Sequence, residues 1–264
     1  MMRFSWLHRG HTQDVATVEE LVKELDAYGY YSVLLTYHSK ADDYFIKAAR
    51  VLTNKQKIKL MLAIRTYAIS PEYLSMICKS LNHISKEKIT LNVCSGDFDN
   101  GEPDVLDNLV DSGPFLTAPK RAEYTDKWME KFLKLKDFNV PDIYMAGHSE
   151  YTKNMAVHYN ATHISMYDMY LKDLKKQDRI INKKQLITIV AVVRETQEEA
   201  NLFFNEHVSK GAHQIYTFCG TKEYVKTKIK DIESMGGTEI LLSRHINDNQ
   251  VQLVHETIKE LACE

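Results

Sequence analysis

The stretch that decides the fold is KLMLAIRTYAISPEYLSMICKSLNHISKEKITLNVC, residues 59–94. It begins with an apolar run at 59–64 and ends with another at 89–94. Both runs are too short for helices, so each predicts a buried strand. Between them, Ser70 supplies a helix cap and Pro71 a favourable first-turn residue. The apolar residues that follow recur at helical spacing, and a strand–helix–strand unit of this kind predicts two parallel strands joined by a helix.

The same alternation runs along the whole chain. Short apolar runs predict six further strands, at 2–7, 32–36, 142–145, 162–166, 186–193 and 239–242. Eight strand–helix units in 264 residues fit a closed barrel better than an open doubly wound sheet. The lack of a GxGxxG motif after the first strand also argues against the open dinucleotide-binding sheet. We therefore predict an α/β fold, a parallel (β/α)8 TIM barrel, formed by residues 1–264 as a single domain.

Composition and charge narrow the class of partner. Apolar residues make up 44% of the chain and charged residues 27%, which is typical of a globular protein with a sizeable core. The formal net charge of −2 gives no strong field, so we expect neither nucleic acid nor a membrane surface as partner. No apolar run reaches the roughly 18 residues that a transmembrane helix needs.

The cysteines and the first residues bear on the compartment. Cys78, Cys94, Cys219 and Cys263 are widely spaced and form no CxxC pair, so we predict neither a metal site nor a disulfide framework. Reduced thiols favour a cytoplasmic location. The chain starts directly with a predicted strand, so we expect no signal peptide.

Six segments resemble the bacterial luciferase-like flavin monooxygenases, most closely the alkanesulfonate monooxygenase branch. They are GYYSVLL (29–35), LAIR (62–65) with the Ser70-Pro71 that follows, LNVCSGD (91–97), YMAGHS (144–149), VVRET (192–196) and GTKEYV (220–225). The segments occur in the order that the family has, and they extend over nearly the whole chain.

The resemblance implies a chemistry and a set of partners. Members of the family use reduced FMN, often supplied by a separate flavin reductase, and oxygen to oxidise a small organic substrate. Some branches use the deazaflavin F420 instead. The family also pairs through helices flanking the early strands, and Cys78 and Leu81 lie on one of these. We therefore expect an FMN-dependent monooxygenase that forms a homodimer or a larger oligomer.

The predicted flavin phosphate site is Gly147-His148-Ser149. This segment follows a strand and opens a helix, where free backbone N–H groups and the helix dipole favour an anion. Gly147 allows close approach, and Ser149 can donate its hydroxyl. From spacing alone, Ser149 is equally well explained as a helix cap. The resemblance favours the phosphate.

Other predicted cofactor contacts come from two strand ends and one helix. Asn92 and Ser95 lie at the carboxyl end of the fourth strand, where barrel active sites are built, and either hydrogen-bond the flavin ring or complete a turn. Arg65 ends the third strand and either contacts flavin or substrate or pairs with a carboxylate. The resemblance places Arg121 near the phosphate, but the tyrosine that follows it in the family is replaced here by Ala122.

The predicted catalytic groups are Arg65 and two histidines. His8 and His38 are expected at the ends of the first two strands, where a histidine can act as acid or base, although surface histidines are common. The alkanesulfonate branch has an arginine and a histidine where this chain has Thr188 and Val190. The chain is also shortened where that branch has a lid. A non-catalytic flavin-binding protein or partner subunit is therefore an alternative, as is an F420-dependent reductase.

Overall fold

The computed structural model describes residues 2–8, 15–36, 43–54, 56–95, 117–135, 139–175, 184–209, 216–245 and 248–263. Its strands are β1 Arg3–His8, β2 Ser32–Leu35, β3 Lys59–Arg65, β4 Ile89–Cys94, β5 Ile143–Ala146, β6 Thr162–Met166, β7 Gln185–Arg194, β8 Thr217–Thr221 and β9 Glu239–Ser243. Its helices are α1 Val15–Ala27, α2 Tyr44–Leu52, α3 Pro71–Ile84, α4 Ala118–Lys134, α5 Glu150–His158, α6 Tyr167–Leu174, α7 Gln197–Phe203, α8 Lys222–Ser234 and α9 Val251–Cys263. A π-helical turn, Phe204–Val208, continues α7.

The sheet closes into a barrel. Neighbouring strands pair in parallel in the order β1-β2-β3-β4-β5-β6-β7-β9, and β9 pairs with β1 to complete the ring. This confirms the predicted (β/α)8 barrel, and each of the eight predicted strands lies within one residue of its observed bounds at both ends. Among the described helices, none has the combination of length and apolar character that crossing a membrane requires.

One strand was not predicted. Among the described strands, β8 pairs with the second half of β7, Val190–Arg194, and it lies outside the eight-stranded ring. β7 is ten residues long and extends beyond its partners β6 and β9. Because backbone groups in a buried strand need hydrogen-bond partners, β8 supplies them for this extension.

The described core contains three apolar clusters, and two of them define the faces of the barrel. Side chains on the outer face of the barrel pack under the surrounding helices and form the main apolar cluster. A smaller cluster fills the barrel interior, with Leu34, Met61, Ala63, Tyr144, Ile164, Leu186 and Leu241. Because side chains alternate along a strand, this interior cluster identifies which residues of each strand face the barrel axis.

The amino end of the barrel is closed by a buried carboxylate. Glu239 accepts hydrogen bonds from the Ser5 hydroxyl at 2.6 Å and from the Tyr144 hydroxyl at 3.0 Å, and the Arg3 guanidinium lies 3.4 Å away. In barrels, this end contributes to stability and the carboxyl end carries the chemistry.

Candidate functional site at the carboxyl end of the barrel

The ends of β3, β4 and β5 lie side by side at the carboxyl end of the barrel, and the place above them is called the recess. Successive side chains on a strand point to opposite faces, so every second residue from a member of the interior cluster also faces the axis. By this rule and the strand register, which places Ala63 beside Asn92, the residues Arg65, Asn92 and Ala146 face the axis. Ala63 and Ala146 occupy interior positions that bulky branched residues usually fill in such barrels. Ala146 is partly exposed, whereas Tyr144 below it is buried. The small side chains therefore leave space above the apolar interior.

Asn92 lies in this recess with an unsatisfied amide. Its side chain is 4% exposed, and its Oδ1 has no hydrogen-bond partner among the described residues. Leaving a buried acceptor unpaired costs about 1–3 kcal/mol, so the arrangement fits a ligand that donates a hydrogen bond to it. Arg65 ends β3 and Ser95 follows β4 at the same rim, and both are half-buried.

The predicted phosphate loop has the geometry of a helix start. β5 ends at Ala146 and α5 begins at Glu150, with Ser149 as its N-cap. The Ser149 hydroxyl accepts a hydrogen bond from the Thr152 N–H at 3.2 Å, so the cap interpretation is confirmed. The same hydroxyl lies 3.0 Å from the Thr152 hydroxyl, which sequence reasoning did not identify. The first N–H groups of the helix have no intrahelical acceptor and are available to an anion.

Gly147 is required by the loop itself. Its φ of +147° is one that other residues rarely adopt, and a Cβ there would lie 2.8 Å from the Thr152 hydroxyl oxygen. Its carbonyl oxygen lies 2.8 Å from His163 Nε2, so this nitrogen must carry the hydrogen. Burial lowers the pKa of His163, and the hydrogen bond to Gly147 only partly opposes that effect. A neutral histidine on β6 therefore holds the loop in place.

The charges around the loop are nearly balanced. Lys153 on α5 forms an ion pair with Asp173 on α6, and Lys172 lies 3.4 Å from Asp168. Partial burial lowers the pKa of His148, and the nearby carboxylate of Asp168 opposes that shift. An anion at this loop would therefore be held by directed hydrogen-bond donors more than by net positive charge.

The remaining predicted residues do not all converge on the recess. His8 ends β1. Its neighbour Leu7 packs on the interior cluster, and successive side chains on a strand point to opposite faces, so the His8 side chain lies on the outer face of the barrel. Its predicted catalytic role has no support in this placement. Arg121 lies in the first turn of α4, a helix that packs against α5. His38 lies outside the described residues.

No protein-family model matches the chain. Among solved structures, EDTA monooxygenase from Chelativorans sp. BNC1 aligns with a TM-score of 0.76 and 11% identity, over 100% of this chain and 93% of that one. The oxygenating constituent of 3,6-diketocamphane monooxygenase from Pseudomonas putida, in complex with FMN, aligns with a TM-score of 0.73 and 11% identity over 99% and 97%. An F420-dependent secondary alcohol dehydrogenase aligns with a TM-score of 0.68 and 12% identity over 100% and 99%. At these identities, the likeness shows a shared fold.

Proposed function

We propose that the chain is an FMN-dependent oxidoreductase, the oxygenating component of a two-component monooxygenase that acts on a small organic substrate. A separate flavin reductase would supply the reduced flavin. One observation carries the proposal: a capped helix start, Gly147 to Ser149, adjoins a recess in which the buried Asn92 amide has an unpaired oxygen among the described residues. The FMN complex of a monooxygenase with the same fold supports this choice of cofactor.

The residues present suit the two ends of the cofactor. The N–H groups at the start of α5 and the hydroxyls of Ser149 and Thr152 would hold the phosphate. Asn92 Oδ1 would accept a hydrogen bond from the flavin ring, and Arg65 at the same rim would stabilise negative charge on the ring. When bound, the flavin would supply the redox chemistry, while the protein positions it and excludes competing reactions.

A second candidate is a non-catalytic flavin-binding protein or partner subunit. One observation favours it: Val190, at a position where the alkanesulfonate branch has a catalytic group, packs in an apolar cluster with Val192 and Phe203. An F420-dependent reductase is a third candidate, because the F420-dependent alcohol dehydrogenase shares the fold. The resemblance to the sulfonate branch favours FMN.

We also propose a cytoplasmic location. All four cysteines are free, as expected in a reducing compartment. Cys78 and Cys94 are buried, which protects them from oxidation.

Mixing reduced FMN with air-saturated buffer tests the proposed activity. With the protein present, we expect the rate of flavin reoxidation to change in proportion to the bound fraction and to saturate. Asn92→Ala should reduce this effect, because the variant loses the proposed contact to the ring. A wild type that binds FMN but leaves reoxidation as in free solution would support the non-catalytic candidate. A wild type that binds F420 and not FMN would support the reductase.

A further inference from the structure

A second unpaired polar group lies across the barrel from Asn92. Ser243 ends β9, which is four strands from β4 in either direction around the ring. Alternation with Leu241 of the interior cluster directs Ser243 toward the axis. Its side chain is 2% exposed, and its Oγ has no hydrogen-bond partner within the described ranges. Like Asn92, it is a buried group that a ligand would satisfy.

The wall beside Ser243 is apolar. The strand register places Ser243 next to Val190. Val190 belongs to a cluster that α7 and its π-helical turn complete, with Val192, Phe203, Val208 and Tyr216, and Met166 packs against it. His207 and His245 also pack against the Phe203 ring. A ligand that reaches the Ser243 hydroxyl therefore contacts mainly aliphatic side chains and aromatic rings on this side of the recess.

The arginine that is buried in this wall already forms an ion pair. Arg194, on the same face of β7 as Val190, is 5% exposed and lies 3.0 Å from the Asp248 carboxylate. Its guanidinium also lies 4.3 Å from the centre of the Phe203 ring. The other carboxylate oxygen of Asp248 has no hydrogen-bond partner in the described part of the chain. Among the described residues of this wall, Arg194 is the only arginine or lysine, so an anionic group there would gain no unpaired arginine or lysine charge and would meet the unpaired Asp248 oxygen, a further acceptor.

We propose that the substrate is a neutral, mainly apolar molecule with one hydroxyl or carbonyl group, which hydrogen-bonds to the Ser243 hydroxyl. Carboxylates and sulfonates of the same size would be rejected, because desolvating their charge against this wall brings no compensating ion pair. This inference rests on the proposed function, since it assigns the substrate side of the flavin site to the ends of β7 and β9.

The test compares three probes with the same octyl chain: 1-octanol, nonanoate and octane-1-sulfonate. Each is titrated calorimetrically into the protein with and without saturating FMN. We expect 1-octanol to bind at least about tenfold more tightly than either anion. Ser243→Ala should weaken 1-octanol binding by about five- to tenfold, which corresponds to one hydrogen bond, and should leave the FMN affinity unchanged.

Thr90→Val is the matched control. Thr90 is another fully buried strand hydroxyl without a partner among the described residues, but it lies one interior position below Asn92 on β4. This variant should bind 1-octanol as the wild type does. Anion binding as tight as 1-octanol binding, no 1-octanol binding by the wild type, or unchanged binding by Ser243→Ala would each overturn the proposal. Failure to bind FMN would instead refute the proposed function. The titrations without FMN would still test whether the apolar wall binds 1-octanol in preference to the anions.

Discussion

At the scale of single residues, Glu239 shows how the barrel tolerates a buried charge. Burial raises the pKa of this carboxyl, while the hydrogen bond from Ser5, the guanidinium of Arg3 and the hydrogen bond from Tyr144 oppose the shift. The opposing contacts do not fully offset the burial, so the folded protein binds this proton more tightly than the unfolded chain does. The stability that the Glu239 carboxyl contributes is therefore present at a pH below its pKa in the unfolded chain. It is lost as the pH rises through its pKa in the folded protein.

Glu239→Gln should accordingly gain stability relative to the wild type as the pH rises from 4 to 7. Glutamine keeps the shape and can still accept one of the two hydrogen bonds, whereas Glu239→Leu leaves two buried hydroxyls short of an acceptor and should cost about 2 kcal/mol or more. Urea unfolding at several pH values measures both variants. A difference between Glu239→Gln and the wild type that does not change with pH would contradict this account.

The candidate site could be predicted from sequence only where a residue follows a recognisable element. The places of Asn92 near the end of a strand and of Ser149 at a helix start could be predicted because both kinds of boundary are visible in the sequence. His8 ends β1 as predicted, but the face on which its side chain lies could not be predicted. Both faces of a parallel barrel strand are buried, so an apolar run does not reveal which residues face the axis. His163 and Ser243 were missed for the same reason, since they lie within or at the end of apolar runs.

At the scale of elements, the strands were predictable because turn and helix signals bound each short apolar run. β8, with the sequence TFCGT, was missed because it contains one large apolar residue and stabilises only the extension of β7. Helix starts are less visible: α6 begins at Tyr167, and its N-cap residue, Met166, makes no side-chain cap hydrogen bond that a sequence would reveal. α4 begins at Ala118, with a proline in its first turn.

The π-helical turn after α7 was not predictable either. The chain is helical from α7 to Val208, but Phe204–Val208 has π geometry, which no sequence pattern reveals. Such turns are frequent at functional sites. Here the turn brings Val208 into the apolar wall beside Val190, so the local irregularity shapes the proposed substrate side of the recess.

At the scale of the whole molecule, α2 and α3 present an apolar surface that fits the proposed homodimer. Cys78 and Leu81 on α3 are buried in the main core and cannot contact a partner. Ile46 on α2 and Tyr73 and Met76 on α3 are instead more than half exposed. Exposed apolar side chains on neighbouring helices are typical of subunit contacts.

Met76→Glu should convert the dimer to a monomer, because a charge on this surface would be buried twice in a symmetric interface. Leu202→Glu on α7 is the control, since Leu202 and Met76 are both 60% exposed. Light scattering at micromolar concentration should give a dimer mass for the wild type and for Leu202→Glu. A monomeric wild type, or a dimeric Met76→Glu variant, would show that this surface is not the interface.

The central claim is that the loop from Gly147 to Ser149 holds the phosphate of FMN, and one fluorescence titration of FMN and riboflavin tests it most directly. Ser149→Asp keeps a good N-cap but places a negative charge at the proposed phosphate position. Ser70→Asp makes the same change at the N-cap of α3, away from the loop.

The wild type and Ser70→Asp should both prefer FMN to riboflavin by about tenfold or more, which is the value of one hydrogen bond to a charged group. Ser149→Asp should lose that preference while it still binds riboflavin weakly. Equal affinity of the wild type for both flavins, or an unchanged preference in folded Ser149→Asp, would contradict the account.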